Sequence, residues 1–355
     1  MGFDNEGIRV EEVTICSWCG EQGQILYGAL RDRLFGAPGT WSLFECRGCG
    51  LVWLNPRPVG EDIGKLYVQY YTHGQEPSSV SPGPRKIGSR QKAKAALLAV
   101  HYGYPNPDST PFWNGVGRIA SSIPFLRDLA GAHIRDLPFV PHGQLLDVGC
   151  GNGNFLVGLR ERGWQVRGIE PDPNSARVAR ERNGLEVTTG TLEGSALPSA
   201  SVDAITLSHV IEHVPDPVAL LCECSRVLRP GGRLIAETPN IESFGHRKFG
   251  TNWRGLEVPR HLFLFSRKAL RACAQKAGLK IEYLRSTSRG GRLFYMSSDV
   301  LKHGSKRPQD SYRPSRWLAY QSLAFQAWEE TLRLVDGISG DVLVLSATRP
   351  TEQSS

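Results

Sequence analysis

The sequence of 355 residues lacks any apolar run that approaches the roughly 20 residues needed for a membrane-spanning helix. Residues 1–12 are acidic and contain no apolar stretch typical of secretory signals, so we expect no secretory signal. Together these two absences predict a cytoplasmic protein that has no membrane segment. Apart from two similar cysteine turns, the sequence also lacks internal repeats. Its length suits one large domain and one small one.

A concentrated basic surface is also lacking. The formal net charge is +7, but Lys and Arg are scattered, with modest clusters at 85–94 and 302–316. No basic stripe with interleaved aromatic residues, of the kind that binds single-stranded nucleic acid, is evident. We therefore expect no nucleic-acid or membrane partner, while the oligomeric state stays open.

Cysteines are few but grouped, because four of the eight form two Cys-x-x-Cys pairs near the N-terminus. These are Cys16 with Cys19 and Cys46 with Cys49, and a glycine follows each pair directly. In a reducing compartment such pairs bind metal more often than they form disulfides. Four thiolates complete a tetrahedral site, so we predict structural zinc. Iron in a rubredoxin-like site and a metal-free dithiol pair are the alternatives.

Residues 144 to 170 predict a nucleotide-binding cleft. A predicted strand at 144–148 is followed by three glycines that allow a tight turn: Gly149, Gly151 and Gly153. A helix is predicted from Asn154, and a second strand at 165–169 ends at Glu170. This order is typical of a nucleotide site in a doubly wound sheet. The carboxylate of Asp147 would repel a phosphate there but suits an ammonium or sulfonium-bearing ligand.

Strands and helices alternate regularly beyond this turn, which predicts a parallel sheet. Further strands are expected at 186–189, 202–207, 233–237, 280–286 and 341–347, and helices at 173–183, 217–228 and 267–277. An amphipathic helix over about 317–334 would separate the last two strands. We predict a metal module at 1–60, a linker and helical lid at 61–140, and an α/β domain at 141–349 with a helical insertion at about 290–338.

The string Asp147-x-Gly-x-Gly-x-Gly153, with Glu170 after it, resembles motif I of the class I S-adenosylmethionine-dependent methyltransferases. The resemblance implies a Rossmann-like, mostly parallel sheet that ends in an antiparallel hairpin. It also implies S-adenosylmethionine as cofactor, with Glu170 on the ribose hydroxyls and Leu192 as an apolar wall for adenine. Many relatives have Asp where Thr191 stands. The implied cofactor-binding residues are Asp147, Gly149, Cys150, Gly151, Gly153, Glu170, Pro171, Thr191, Leu192 and Ser208.

The segment Leu51-Val-Trp-Leu-Asn-Pro-Arg-Pro58 resembles the zinc-ribbon leader found ahead of one group of these methyltransferases. Many of that group act on sugars and secondary metabolites, which implies a small-molecule acceptor. An aromatic cluster that includes Tyr71 resembles another feature of the group, and local packing is its alternative role. The string Pro259-Arg-His-Leu262 is similar to a third. Substrate contacts are therefore expected from Tyr71, Trp253 and Arg260.

Two histidines are the predicted catalytic residues. His209 follows the fourth core strand and His261 lies in a loop after the fifth, and open α/β sheets bind ligands at that edge. The segment His209-x-x-Glu212-His213 is similar to one with which some quinone-biosynthesis O-methyltransferases hold a divalent metal, so metal binding is a second hypothesis. For Arg260 and His261 the alternative is that they brace their loop.

The sequence thus predicts methyl transfer from S-adenosylmethionine to a small-molecule acceptor by in-line displacement. An RNA methyltransferase is the first alternative, because some rRNA enzymes also carry an N-terminal zinc module. Against it, the fourth strand ends in Ser208-His209 and not in an Asn/Asp-Pro-Pro-Tyr string. A non-catalytic, zinc-dependent interaction protein is the second alternative, which the intact glycine turn and Glu170 disfavour.

Overall fold

A computed structural model describes residues 3–67, 88–304 and 315–351. Residues 68–87 of the predicted linker and lid, which include Tyr71, lie outside these residues. The chain divides into two compact units. The first unit contains the described residues within 1–70, 208–225 and 236–350. The second contains those within 71–207, 226–235 and 351–355.

Short strands dominate the N-terminal part of the chain, and strands alternate with helices after it. The strands are β1 (Phe3–Asn5), β2 (Ile8–Glu11), β3 (Gln24–Leu30), β4 (Trp41–Glu45), β5 (Leu51–Asn55), β6 (Arg57–Pro58), β7 (Gln144–Val148), β8 (Gln165–Glu170), β9 (Glu186–Thr189), β10 (Val202–Ser208), β11 (Leu228–Pro239), β12 (Phe263–Phe265), β13 (Lys280–Thr287) and β14 (Val342–Thr348). The helices are α1 (Ser89–Tyr102), α2 (Pro111–Ser121), α3 (Pro124–Gly131), α4 (Asn154–Arg160), α5 (Pro173–Glu181), α6 (Pro217–Val227), α7 (Phe244–Phe249), α8 (Arg267–Lys276), α9 (Gly291–His303) and α10 (Arg316–Asp336). None of the described helices has both the length and the apolar character that crossing a bilayer requires.

The larger sheet contains seven strands in the order β13-β14-β11-β10-β7-β8-β9. Strands β10, β7, β8 and β9 are parallel to one another, whereas β13 and β14 are antiparallel. The chain proceeds from β7 to β8 and β9 on one side and then returns to β10 on the other. Such a reversal opens a crevice at the carboxyl ends of the strands. The predicted α/β class, with a mostly parallel sheet and a terminal antiparallel hairpin, is confirmed.

Local sequence explains the elements around this reversal. Leu145, Leu146 and Val148 of β7 are all buried, as expected for a strand that is covered on both faces. Helix α5 begins where Asp172 accepts hydrogen bonds from two backbone N–H groups of the first turn, with Pro173 as the first helical residue. Both features favour a helix start.

Strand β11 is longer than predicted. It begins at Leu228, whereas the predicted strand began at 233, after a Pro-Gly-Gly string over 230–232 that is typical of a turn. Gly231 adopts a φ of 77°, which glycine tolerates at little cost, so the turn residues are absorbed into the strand. In the segment predicted as a helical lid, α2 and α3 are separate helices, because Pro124 lacks the N–H needed to continue the α2 hydrogen bonds.

The first unit contains a four-stranded sheet in the order β12-β5-β4-β3. Strands β3, β4 and β5 form antiparallel pairs within the N-terminal segment. The fourth strand, β12, comes from far downstream and pairs Phe263 with Trp53 and Leu264 with Val52. The N-terminal sheet is therefore completed by the residues that directly follow His261. The domain boundaries stated above stay a prediction.

Candidate functional site

The turn after β7 contains three glycines with a left-handed backbone, with φ of 72° at Gly149, 56° at Gly151 and 80° at Gly153. A Cβ atom added at Gly153 would lie 2.3 Å from a Leu185 methyl carbon. One added at Gly151 would meet nothing within 4 Å. The left-handed backbone favours glycine at both positions, and the Leu185 side chain leaves little room beside Gly153, whereas the backbone at Gly151 borders open space that a ligand can approach.

Glu170 ends β8, and the turn fixes its carboxylate. Its Oε2 accepts a hydrogen bond from the Gly151 N–H at 2.7 Å, and its Oε1 accepts one from the Asp172 N–H at 2.9 Å. Burial raises the pKa of Glu170, while these two N–H donors act in the opposite direction. The carboxylate thus has a defined orientation from which it can accept hydrogen bonds from ligand hydroxyl groups.

Asp147 is fully buried, and Arg135 balances its charge. The Asp147 Oδ1 accepts a hydrogen bond from the Thr206 hydroxyl at 2.7 Å and forms an ion pair with the Arg135 guanidinium. The same guanidinium lies 3.7 Å from the centre of the Phe155 ring. From the sequence we expected a ligand to balance the charge of Asp147, but Arg135 supplies that positive charge within the protein. Sequence reasoning missed Arg135 because it lies outside any periodic element or motif.

The other residues predicted to bind cofactor occupy varied positions. Leu192 is buried, whereas Thr191 and Pro171 are exposed. Burial raises the pKa of the Cys150 thiol, so this cysteine is a neutral packing residue. The Ser208 hydroxyl donates to the Glu237 carboxylate at 3.1 Å. Their contacts with a cofactor stay predictions.

His209 and Glu212 form an ion pair in the first unit. His209 Nδ1 lies 3.1 Å from Glu212 Oε1, and Glu212 Oε2 accepts a hydrogen bond from the Thr238 hydroxyl at 3.0 Å. Desolvation opposes the charged imidazole, but the hydrogen bond and charge of Glu212 outweigh it and raise the pKa of His209. His209 also has a φ of 55°, an uncommon conformation for a residue other than glycine. The pair therefore favours a protonated His209.

His261 is buried beside His213, and their rings meet edge to face with centroids 4.7 Å apart. The Glu212 carbonyl joins the two segments, because it accepts the Leu262 N–H at 2.8 Å. His261 Nδ1 lies 2.8 Å from the Gly255 carbonyl, which can only accept, so Nε2 is the basic nitrogen. Burial, and then the charge of His213, lower the pKa of His261 to about 4. The imidazole is therefore neutral at pH 7 and able to accept a proton.

Glu212, His213 and His261 could together hold a metal ion. Each offers a ligand atom, and these atoms lie within 4.8 Å of one another. The sequence suggested His209 as the third ligand, but the structure brings His261 to this position and leaves His209 bound to Glu212. Two imidazoles and one carboxylate suit divalent transition metals. The metal hypothesis therefore moves to this set of three residues.

Arg260 is completely buried and braces two segments of the first unit. Its guanidinium contacts the Asp32 carboxylate through two hydrogen bonds of 2.8 and 3.1 Å, and its Nε lies 3.2 Å from Glu257 Oε1. The guanidinium also lies 4.4 Å from the centre of the Phe35 ring. This geometry favours the bracing role that was the alternative to substrate binding. Asp32 was missed, because nothing in its local sequence indicates a partner so distant in the chain.

Trp253, a predicted substrate-binding residue, is also buried. It lines a cleft of about 390 Å³ between the segments 28–34 and 251–258, together with Glu257 and Leu301. Ala29 and Glu257, both in this lining, have positive φ values of 54° and 34°. Substrate contacts by Trp253 and Arg260 stay predictions, and Tyr71 lies outside the described residues.

The four N-terminal cysteines come together around a common centre. The Sγ atoms of Cys16 and Cys49 are 3.5 Å apart, those of Cys19 and Cys46 are 3.3 Å apart, and all four lie within 4.8 Å of one another. A tetrahedral zinc ion with bonds of about 2.3 Å would separate its sulfur ligands by about 3.8 Å. The observed cluster is therefore close to the dimensions that zinc requires.

Both cysteine pairs lie in the same kind of turn. The Gly20 N–H donates to the Cys16 carbonyl at 2.9 Å, and the Gly50 N–H donates to the Cys46 carbonyl at 2.8 Å. The two glycines have φ values of 77° and 73°, which a residue with a side chain rarely adopts. The glycine after each pair is thus needed to reverse the chain and direct both thiols to one side.

Known proteins resemble parts of this chain. A family model described as "Methyltransferase domain" matches residues 124–284. A ubiquinone biosynthesis O-methyltransferase from Xanthomonas oryzae pv. oryzae is 37% identical over 120 residues, which are 32% of this chain and 45% of the relative. A second, from Methylocella silvestris, is 30% identical over 186 residues, covering 42% and 73%. A malonyl-[acyl-carrier protein] O-methyltransferase from Serratia marcescens is 36% identical over 126 residues, covering 35% and 49%. The chain spans about half the length of the first and third relatives.

Proposed function

The chain belongs to the class I S-adenosylmethionine-dependent methyltransferases, and on this premise we propose that it methylates a small-molecule acceptor by in-line displacement. The names of the three relatives specify oxygen as the atom that those enzymes methylate. The zinc-ribbon-like leader supports an acceptor among secondary metabolites, sugars or related biosynthetic intermediates.

The observation that carries the proposal is the Glu170 carboxylate fixed next to the open backbone of Gly151. In this role Glu170 accepts hydrogen bonds from the ribose hydroxyls, while Gly149 and Gly151 border the methionine moiety. Leu192 provides an apolar wall for the adenine ring. When bound, the cofactor supplies an electrophilic methyl group on a sulfonium. These features fit S-adenosylmethionine because a fixed acceptor, an unobstructed backbone and an apolar surface match the three parts of that molecule.

We also propose His261 as the residue that accepts a proton from the acceptor hydroxyl. Its lowered pKa keeps the imidazole neutral at pH 7, so Nε2 carries a free lone pair for this proton. Because Nε2 is also the nitrogen that would bind a metal ion, this role applies to the metal-free site. His209 is less suited, because Glu212 raises its pKa and so increases its protonated fraction. The cysteine cluster holds structural zinc in this proposal, since four thiolates leave no open position for substrate.

The proposal is tested by calorimetric titration of the metal-loaded protein with S-adenosylmethionine and S-adenosylhomocysteine. Wild type should bind one molecule per chain. We expect Glu170→Ala to weaken binding at least about tenfold, equivalent to about 1.4 kcal/mol. Glu186→Ala is the matched control, because Glu186 begins the neighbouring strand β9 and is exposed. Equal affinity in wild type and Glu170→Ala would remove the ribose role.

Two further results would redirect the functional assignment. If wild-type protein takes up neither cofactor form, a zinc-dependent interaction protein becomes the better explanation. Binding to bulk RNA would instead support the RNA alternative if its affinity falls roughly tenfold or more between 50 and 200 mM salt. Such a salt dependence indicates several contacts with phosphate groups.

A further inference from the structure

Helix α10 displays an uncharged and largely apolar surface, which the exposed Thr331 interrupts. Its 21 residues extend about 32 Å, at 1.5 Å per residue. Trp317, Tyr320, Trp328 and Val335 are exposed by 70%, 66%, 56% and 84%. At about 100° per residue these four side chains fall within about 80° of the helix circumference. Leu323 and Leu334 extend the same surface on one side, and both are exposed.

The opposite side of α10 is firmly packed within the first unit. Phe325 contacts Phe244 and Tyr295, with ring centroids 5.4 and 5.0 Å apart. Glu330 is buried and accepts a hydrogen bond from the Ser288 hydroxyl at 2.6 Å. The helix is therefore anchored through its inner side, and its apolar outer side is a fixed feature of the fold.

The size of this outer surface is that of an interface. The exposed parts of the three aromatic side chains amount to about 400 Å², and those of the three aliphatic side chains to about 200 Å². The total of about 600 Å² is at the upper end of the largest apolar patch on a typical monomer. Doubled across two copies it gives about 1,200 Å², the lower limit of standard protein–protein interfaces.

We propose that α10 is a dimerisation surface that pairs antiparallel with the same helix of a second copy of this chain, across a two-fold axis near residue 326. In this pairing Trp328 lies opposite the partner's Ala324, and Trp317 lies opposite the partner's Val335. Ala324 and Ala327 are exposed at the middle of the surface, so they leave room for a large side chain to enter. The surface is thus complementary to itself, as a two-fold interface requires.

Charge favours a protein partner over a lipid surface. Between Trp317 and Val335 the exposed positions of α10 carry no charged residue. The charged residues in this stretch are Glu329 and Glu330, which are buried, and Arg333, which pairs with Glu330. Helices that lie on membranes are instead rich in exposed Lys and Arg on their polar side. An uncharged, self-complementary surface therefore matches a second copy better than a bilayer.

The test is sedimentation equilibrium of the full, metal-loaded chain from about 1 to 100 μM, a range that brackets the affinity expected of a small interface. Wild type should show a reversible monomer–dimer equilibrium. Trp328→Glu should raise the dimer dissociation constant at least about 100-fold, because it places a charge at the centre of the interface. Ala324→Trp should do the same, because it fills the space that the partner's Trp328 enters. Ile119→Glu is the control, because Ile119 is also exposed, by 70%, but lies on α2.

Circular dichroism should show that all three variants are folded. A wild-type chain that stays monomeric at 100 μM would overturn the proposal. So would a Trp328→Glu variant that dimerises like wild type, or an Ile119→Glu variant that loses dimerisation equally. Binding of wild type, but not of Trp328→Glu, to neutral lipid vesicles without dimerisation in solution would assign the surface to a membrane instead.

Discussion

Removing the carboxylate of Asp32 should destabilise the first unit more than most single substitutions can. Asp32 and Arg260 are both without exposed side-chain surface, and their contact is bidentate. Asp32→Ala leaves the Arg260 charge buried with only part of its compensation, which costs about 3–5 kcal/mol in comparable cases. The same carboxylate accepts the N–H groups of Leu34 and Ala37, each at 2.9 Å, and their loss adds about 1 kcal/mol or more.

The assay is urea unfolding followed by tryptophan fluorescence, with Glu181→Ala as control. Glu181 pairs with Arg177 at 3.1 Å, but both side chains are more than half exposed, so the control should change stability by less than about 1 kcal/mol. The double variant Asp32→Ala with Arg260→Met removes both charges, and it should be at least about 2 kcal/mol more stable than Asp32→Ala alone.

The pH dependence gives an independent check. Burial alone would raise the pKa of Asp32, but the hydrogen bonds and charge of Arg260 lower it below its ordinary value. A carboxyl group with a lowered pKa contributes stability above its unfolded pKa and loses it on acidification. Wild type should therefore lose this contribution as the pH falls below about 4, and Asp32→Ala should not. Two results would refute the bracing role. One is a free energy of unfolding of Asp32→Ala within about 1 kcal/mol of that of wild type. The other is a double variant that is less stable than Asp32→Ala alone.

Three other predictions concern zinc, His261 and Glu329. Metal analysis should find one zinc per chain. Cys46→Ser, or removal of zinc by a chelator, should unfold the sheet that contains Trp53 and so change the tryptophan fluorescence. An unchanged spectrum after verified zinc removal would contradict this. Because the pKa of His261 is lowered to about 4, the free energy of unfolding should fall by up to about 3 kcal/mol as the pH drops from about 6.5 to 4. His261→Gln should lose this pH dependence. His303→Gln should keep it, because the His303 side chain is exposed. Burial, and then the charge of Asp341, raise the pKa of Glu329, so stability should fall as the pH rises above neutrality, by about 1 kcal/mol per unit, and Glu329→Gln should flatten that slope. An identical slope in Glu329→Gln would show that the carboxyl is ionised or solvated.

The parts of the molecule governed by local periodicity were predictable from sequence. Strand β7 and strand β9 begin and end at the expected residues, and α10 differs from its predicted bounds by one or two residues at each end. The pattern of apolar residues and the helix-capping residues predict these elements, because both signals depend on only a few neighbouring residues. The glycine turn and Glu170 were found for a similar reason, since the turn requires glycine whatever the rest of the chain does.

Contacts between distant segments were not predictable in the same way. Arg135 reaches Asp147, Asp32 reaches Arg260, and β12 joins the N-terminal sheet, yet none of these segments carries a local signature of its partner. A single buried charge could pair with any opposite charge in the sequence, so its choice depends on tertiary packing. For the same reason the sequence suggested His209 as a metal ligand, whereas tertiary packing brings His261 to Glu212 and His213.

The pairing of β12 with β5 has a consequence for how this protein can be made and divided. During synthesis the cysteine-rich segment leaves the ribosome long before β12, the strand that completes its sheet. The β5 edge of this sheet therefore has no pairing partner until Phe265 has emerged. Such an edge invites wrong pairing with other chains. Deletion of residues 1–60 would remove β5 and leave the apolar residues 263–265 without their pairing partner. We therefore expect residues 61–355 to form inclusion bodies when they are expressed alone.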